Sequence, residues 1–356
     1  MSETRPEKSP ATDARSAARG WVAAVTSHRA AVVIAALVVV AVGGALGVWL
    51  GDGDELAQDA GGGTPTAQSA TSADTPPPPA VGSTTPAIAS PLPAVEPSPA
   101  IVEPPPAWRR FAVAVPAAPE GRPMIAVVVD DMGMAQARSR RAIELPAPLT
   151  LAFLPYAEDL AEQTEAARRA GHELIVHIPM EPESTDEDTG PNALLTGLED
   201  DELRRRIDWN LGRFEAYVGV SNHMGSRFTR DEKAMSLVLT ELAERGLLFL
   251  DSRTVPGSFG WRLARGRGVP VAKRDVFLDN VVEIEDIRAH LAELESLARE
   301  HGYAVGIGHP HDVTIDALAE WLPGVAERGF TLVPISAVVA HREAIALAAE
   351  EGAAGE

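Results

Sequence analysis

The sequence predicts an α/β fold built on a parallel sheet or barrel with covering helices, and three observations lead there. From Pro123 to about Val339, short β-branched runs alternate with amphipathic stretches of helical period, the pattern of successive βα units. The run Ile125 to Val129 is apolar throughout, reads as a strand buried on both faces, and stops on two carboxylates, Asp130 and Asp131. Titratable residues then recur just after strand upon strand, at the end of a parallel sheet where ligands bind.

The expected strands are Ile125 to Val129, Leu149 to Phe153, Glu173 to Val176, Tyr217 to Val220, Leu247 to Leu250, Val269 to Ala272, Ala304 to Ile307 and Thr331 to Val333. Between them, Glu158 to Ala170, Asp200 to Phe214, Asp231 to Arg245, Glu283 to Glu300 and Thr314 to Arg328 carry apolar residues three or four apart with charged opposite faces. Asp231, Asp286 and Thr314 stand near the expected helix starts. The domain is expected over residues 123–340, and residues 341–356, rich in Ala and Glu, form a tail with the character of a frayed helix.

What precedes the domain is of another kind. Ala30 to Leu50 is 21 residues without a charge, long enough to cross a ~30 Å hydrocarbon core and longer than the ~7 to 15 apolar residues of a cleaved signal peptide. Arg15, Arg19 and Arg29 precede it while Asp52, Asp54 and Glu55 follow. The positive-inside tendency therefore predicts a single-pass anchor in a bacterial inner membrane, with residues 1–29 as a cytoplasmic tail and everything after residue 50 in the periplasm. Residues 51–122 read as a linker rich in Pro, Ala, Ser and Thr; residues 61–106 alone hold 13 of the 29 prolines. An extended tether of that composition reaches at most about 140 Å.

Charge and composition exclude several functions. From residue 51 onward there are 26 basic against 48 acidic residues, a net charge of −22. Such a field repels nucleic acid and anionic lipid, so no nucleic-acid partner is expected. The chain has no cysteine, which removes disulfides, thiol nucleophiles and thiolate metal sites and leaves a metal to His, Asp and Glu.

Asp130 and Asp131 follow the first strand, His177 the third, Asn222 and His223 the fourth, Asp251 the fifth, Asp275 and Asp279 the sixth, and His309 the seventh. If the strands are parallel, these groups ring one mouth. Carboxylate with imidazole is a donor set suited to zinc or a neighbouring divalent ion. A lone Asp after a strand is commonly a helix cap or turn former, a reading open to Asp131 before Met132-Gly133, but an adjacent pair is harder to dismiss that way. Pro179 is expected to end pairing just after His177. His172 precedes its strand and reads as structural, while His290, His301 and His311 read as solvent-facing.

The ordered motifs VVVDDMG, AGHELIVHIPMEP, VSNHMGSRFT, LFLDSRT, KRDVFLD and VGIGHPH resemble the divergent polysaccharide deacetylase family, a distant branch of the metal-dependent polysaccharide deacetylases. The resemblance covers about residues 123–340. It implies an irregular seven- or eight-stranded β/α barrel, a divalent cofactor, zinc first, and a glycan partner such as peptidoglycan. By position it implies Asp130 as catalytic base, Asp131 and His177 as metal ligands, and His309 as the acid that protonates the leaving group. The second histidine of the family's His-x-x-x-His pair is replaced by Glu181, and the arginine-proline loop by Asn222-His223-Met224-Gly225. The third ligand is then His223 or Glu181, with His223 preserving the ligand type, and Asp251, or Asp275 and Asp279, are expected to orient the imidazoles. Two functions fit: a membrane-anchored hydrolase removing acyl groups from a glycan, or a glycan-binding or envelope-assembly protein on the same fold that has lost turnover.

The flanking charges of residues 30–50 yield the first testable expectation. The full-length protein should sediment with membranes, and a C-terminal reporter should be active only outside the cytoplasm. Recovery of a soluble chain starting near residue 51 would show cleavage instead.

Overall fold

The computed structural model describes residues 104–115 and 121–354. The charge-free segment 30–50, the tail before it and the linker as far as residue 103 lie outside the described residues. Among the described residues no helix is long and apolar enough to cross a membrane.

Nine strands form one parallel sheet: β1 (Met124–Met132), β2 (Thr150–Phe153), β3 (Glu173–Met180), β4 (Gly219–Met224), β5 (Leu248–Asp251), β6 (Val271–Lys273), β7 (Val276–Phe277), β8 (Tyr303–Gly308) and β9 (Thr331–Leu332). Their order is β6-β5-β4-β3-β2-β1-β8-β7, with β9 paired to the start of β1. The two edge strands, β6 and β7, are separated in the chain by Arg274 and Asp275 alone, so the sheet must curl until its edges approach. The result is a curled parallel half-barrel with an open seam, with eight strands along its path and β9 beside β1, where an irregular barrel of seven or eight strands was expected. At the seam the Asp275 carboxylate accepts from Val305 N at 2.9 Å, replacing a missing strand neighbour. Arg342 also reaches the seam, donating to Val271 O and lying 4.1 Å from the Trp261 ring centroid.

The helices are α1 (Ala107–Arg110), α2 (Gln136–Ile143), α3 (Leu160–Arg169), α4 (Asp200–Leu211), α5 (Glu232–Glu244), α6 (Gly260–Gly266), α7 (Ile284–His301), α8 (Asp312–Trp321) and α9 (Ile335–Ala354). Alternation along β1 divides the core. Ile125, Val127 and Val129 join the layer between sheet and helices, while Met124, Ala126 and Val128 face the barrel interior with Ile175, Leu248, Leu250, Ala272, Val305 and Ile307. Burial of each large apolar side chain contributes about 1.5 to 3 kcal/mol. Trp108 of α1 and Val338 and Val339 of α9 complete the inner layer, so the domain starts before residue 123 and the tail continues a helix rooted in the core.

Several boundaries differ from expectation for physical reasons. β1, β3 and β4 run on past Val129, Val176 and Val220, so Asp130, Asp131, His177 and His223 lie within strands. Pro179 does not end pairing; it sits opposite His223 in the β3–β4 register. Its carbonyl accepts from Leu194 N at 2.8 Å, on the side where β2 has already ended, so its missing N–H interrupts no ladder. Asp231 caps α5 by accepting from Ala234 N, whereas Asp286 and Thr314 fall inside α7 and α8. α8 stops at Trp321 and the chain continues as a 3-10 turn, Leu322–Gly324, containing Pro323. α2 was not foreseen because its sequence, QARSRRAI, carries little apolar stripe.

The strand entrance of the barrel holds two buried polar groups. His172 accepts from Leu149 N at 3.2 Å through Nδ1 and donates to Ile143 O at 3.0 Å through Nε2, a structural role as expected. Glu173 is fully buried and accepts from Ser336 N at 3.0 Å and Val113 N at 3.3 Å. Burial outweighs these bonds and pushes its pKa up to about 7, from an ordinary 4.5.

That shift has a signed consequence. The folded state keeps this proton longer than the unfolded chain, so the contribution is full below pH 4.5, falls as pH rises, and is roughly 3 kcal/mol smaller above pH 7. Glu173→Gln should remove this part of the slope, so that the stability difference between mutant and wild type, measured by urea unfolding, grows in the mutant's favour from pH 4.5 to 8. A constant difference would contradict the assignment.

Candidate metal centre

The inner rows of the barrel become polar at the strand exits. Asp130 continues the row Met124, Ala126, Val128; His177 continues Ile175; Ser252 continues Leu248 and Leu250; His309 continues Val305 and Ile307. Asp131 would point outward by alternation, but its φ of +56° and a register shift between Val129 and Met132 mark a bulge. The bulge turns its carboxylate back toward the same mouth. These residues line a cleft of about 540 Å³ together with Asn222, His223, Ser252, Arg274 and Phe277.

Three of them converge. His223 Nδ1 and His177 Nε2 lie 2.8 and 3.3 Å from Asp131 Oδ1, and one donor atom from each residue lies within 4.8 Å of the others. Neither imidazole is aligned for a hydrogen bond, so this buried carboxylate oxygen has no partner among the described residues. Two imidazole nitrogens and a carboxylate oxygen gathered this closely form a donor set that a divalent cation could share. The carboxylate and two imidazoles match zinc or a close relative. Burial alone would raise the Asp131 pKa, but the two histidines outweigh it and hold the group ionised well below the usual range.

Around this cluster, His177 is oriented by Ser221, whose Oγ lies 2.7 Å from Nδ1, leaving Nε2 to face the acids. Asp130 is buried with Oδ1 unpartnered, while Oδ2 accepts from Ser252 Oγ at 3.4 Å and lies 3.6 Å from His177 Nε2. Burial raises its pKa against the pull of His177 and His309. Asn222 ties the β4 and β5 exits together, accepting from Ser252 N at 2.9 Å and donating to Met224 O at 2.8 Å.

His309 Nδ1 lies 3.0 Å from Asp279 Oδ1, and its Nε2 lies 4.0 Å from Asp131 Oδ2. Burial lowers its pKa, but Asp279 more than reverses this and brings it to about 9. Asp279, His309 and His311 also bring donor atoms within 4.8 Å. The Asp279 oxygens are already committed, however, to His309 N at 2.6 Å, to Thr314 Oγ1 at 2.8 Å and to His309 Nδ1.

Other expected participants lie elsewhere. Glu181 Oε2 accepts from Thr196 N and Oγ1, both at 2.6 Å, away from the cluster. Asp251 accepts from Arg253 N, Ser258 Oγ and Trp261 N and organises the turn toward α6, while Asp275 patches the seam. Of the expected orienting acids, Asp279 alone reaches an imidazole of the site. His290 and His311 are half-buried rather than solvent-facing, His290 Nδ1 lying 3.0 Å from Leu278 O. Ser221, Ser252 and Arg274 were missed, although the inward parity of the two serines was available once the strand ends were known.

The chain is similar to known proteins in sequence and in fold. The model of the divergent polysaccharide deacetylase family matches residues 127–339. The Escherichia coli K12 protein YibQ is 35% identical over 196 residues, 55% of this chain and 61% of its own, so under two thirds of that relative is spanned. A Haemophilus influenzae protein is 32% identical over 205 residues, 57% of this chain and 72% of that one. The crystal structure of ATU2773 from Agrobacterium tumefaciens C58 superposes with a TM-score of 0.64 at 31% identity, covering 65% of this chain and 95% of that one. With acids and imidazoles on the inner rows of a curled parallel sheet and the family model matched over more than half its length, the chain belongs to the divergent polysaccharide deacetylase family.

Proposed function

We propose that this protein is a membrane-anchored, periplasmic, metal-dependent hydrolase that removes acyl groups, acetyl first, from a glycan such as peptidoglycan. The observation that carries the reading is the convergence of Asp131, His177 and His223 beside an unpartnered oxygen of Asp130. Family membership supports the glycan, and the charge-free stretch 30–50 with its flanking charges supports the anchor.

A divalent ion held by Asp131, His177 and His223 would supply Lewis-acid polarisation of the acyl carbonyl and acidify the attacking water. The chain's own residues move the protons. Asp130 takes one from the water at Oδ1, with Ser252 bracing Oδ2; its raised pKa suits a group that must accept a proton. His309, whose Nδ1 is held by Asp279 so that its pKa is raised, donates from Nε2 to the departing nitrogen or oxygen as the acyl bond breaks. The products are the free acid and the deacylated sugar. A turnover-deficient binder is less favoured by this geometry, because His223 supplies the ligand that Glu181 does not.

Asp131→Asn and His223→Ala should each lower the zinc retained after dialysis, the first because a neutral amide lacks the anionic charge that holds a divalent ion, the second because the nitrogen donor is gone. Glu181→Ala should retain zinc. Asp130→Asn should also retain it yet reduce acetate release about a hundredfold or more, the scale of losing a general base. The hydrolase reading fails if metal-replete wild type releases no acetate from peptidoglycan fragments, chitooligosaccharides or acetylated xylan.

A further inference from the structure

Among the described residues, Arg274 is the one Lys or Arg lining the cleft that holds Asp130, Asp131, His177, His223 and His309. Its Nε donates to Ser252 O at 2.7 Å and its Nη2 to Arg253 O at 2.8 Å. These bonds use the edge of the guanidinium on which Nε–H and one Nη2–H run side by side. The other fork, formed by Nη1–H and the second Nη2–H, makes no hydrogen bond among the described residues. The guanidinium carbon lies 4.6 Å from the Phe277 ring centroid, so the group is braced on one face as well as along one edge.

The ion pairs of the site join acids to imidazoles and leave Arg274 out. Holding Asp130 would be the competing use of this residue, but the near polar neighbours of Asp130 are Ser252 Oγ and His177 Nε2. Arg253 adds a second positive charge close by and, after burial, lowers the Arg274 pKa further, the two together outweighing the opposite pull of Asp130 and Asp251, neither of which is within ion-pair distance of the guanidinium. A half-buried guanidinium, immobilised before any ligand arrives and with a planar fork to spare, is preorganised for a carboxylate. The chain's net charge of −20 gives an anionic ligand no long-range attraction, so such recognition has to be local.

We propose that Arg274 is a specificity-determining residue whose open fork binds a carboxylate carried by the glycan close to its acylated position, making the preferred substrate an acidic acylated sugar. This rests on the hydrolase reading for turnover but not for binding. The test uses the zinc-loaded full chain and one N-acetylated disaccharide bearing a carboxyl-terminated ether, prepared as the free acid and as the primary amide. Acetate release and calorimetric affinity are measured for both.

Wild type should favour the acid about tenfold or more, in KM more than in kcat, as expected for a charge-assisted pair. Arg274→Gln should bring the acid-to-amide ratio to about one, and Arg274→Lys should restore part of it, since charge returns without the fork. A residue that merely latched the 252–253 turn would lower both substrates together and leave the ratio unmoved. Should Arg274→Gln not fold, the wild-type ratio decides alone. Equal treatment of acid and amide by wild type overturns the assignment and leaves the hydrolase reading standing. Acid-over-amide binding without acetate release does the reverse, and failure to bind or turn over either overturns both.

Discussion

Alternation along β1 is the constraint on which the site depends. Every second residue from Met124 faces a barrel interior narrow enough to be lined by Ala126, Ala152 and Ala272, and Asp130 is the next in that row. An acid placed there loses most of its water and must be compensated or give up its charge. The bulge at Asp131 then departs from the alternation once, placing a second carboxylate beside the first. A regular strand would have sent it into the apolar layer beneath the helices, where Val127 and Val129 pack.

Two adjacent carboxylates in one enclosed mouth are pushed to opposite protonation behaviour by their surroundings. Asp131 has two imidazoles on one oxygen and stays ionised; Asp130 has a serine hydroxyl and a more distant imidazole and holds its proton more readily. On the proposed hydrolase reading, this separation would divide labour between a ligand that must stay anionic and a base that must accept a proton. The same logic recurs at the His309–Asp279 pair, where the acid is satisfied from Thr314 and the His309 backbone and so remains a fixed negative charge. Removing acids and imidazoles from water opposes folding, and the apolar layers on both faces of the sheet offset it.

Much of this was legible in the sequence because it follows from period and position. The apolar run ending at Asp130, the strand alternation and the recurrence of His and Asp at strand exits gave eight of the strand positions and the acids and histidines of the site. What escaped lacked a local signal. β7 is two residues long, too short to show any period. α2 is held by its surroundings, with Ser139 accepting from Gly133 N at 2.9 Å and Arg141 pairing with Asp312 and Asp316 of α8. Such partners, 171 and 175 residues away along the chain, cannot be read from a window. The serines that orient His177 and brace Asp130 are visible only when the strands are known to continue past their apolar runs.

The choice between His223 and Glu181 as third donor turns on the same continuation. Had β3 ended before Pro179, a turn could have carried Glu181 back beside His177, as a helix-like i, i+4 spacing would. Instead β3 is extended to Met180, and four residues at ~3.3 Å each place Glu181 roughly 13 Å beyond His177 along the strand direction. No side chain of that length bridges such a gap to share an ion. The neighbouring parallel strand lies only about 4.8 Å to the side, and there Ser221 stands in register with His177 and His223 with Pro179. Both are inward-facing on β4, so one orients the first imidazole and the other supplies the second. Extended backbone at Pro179 therefore puts the second imidazole beside Asp131 on the neighbouring strand, and Glu181, carried beyond the cluster, is bound by Thr196.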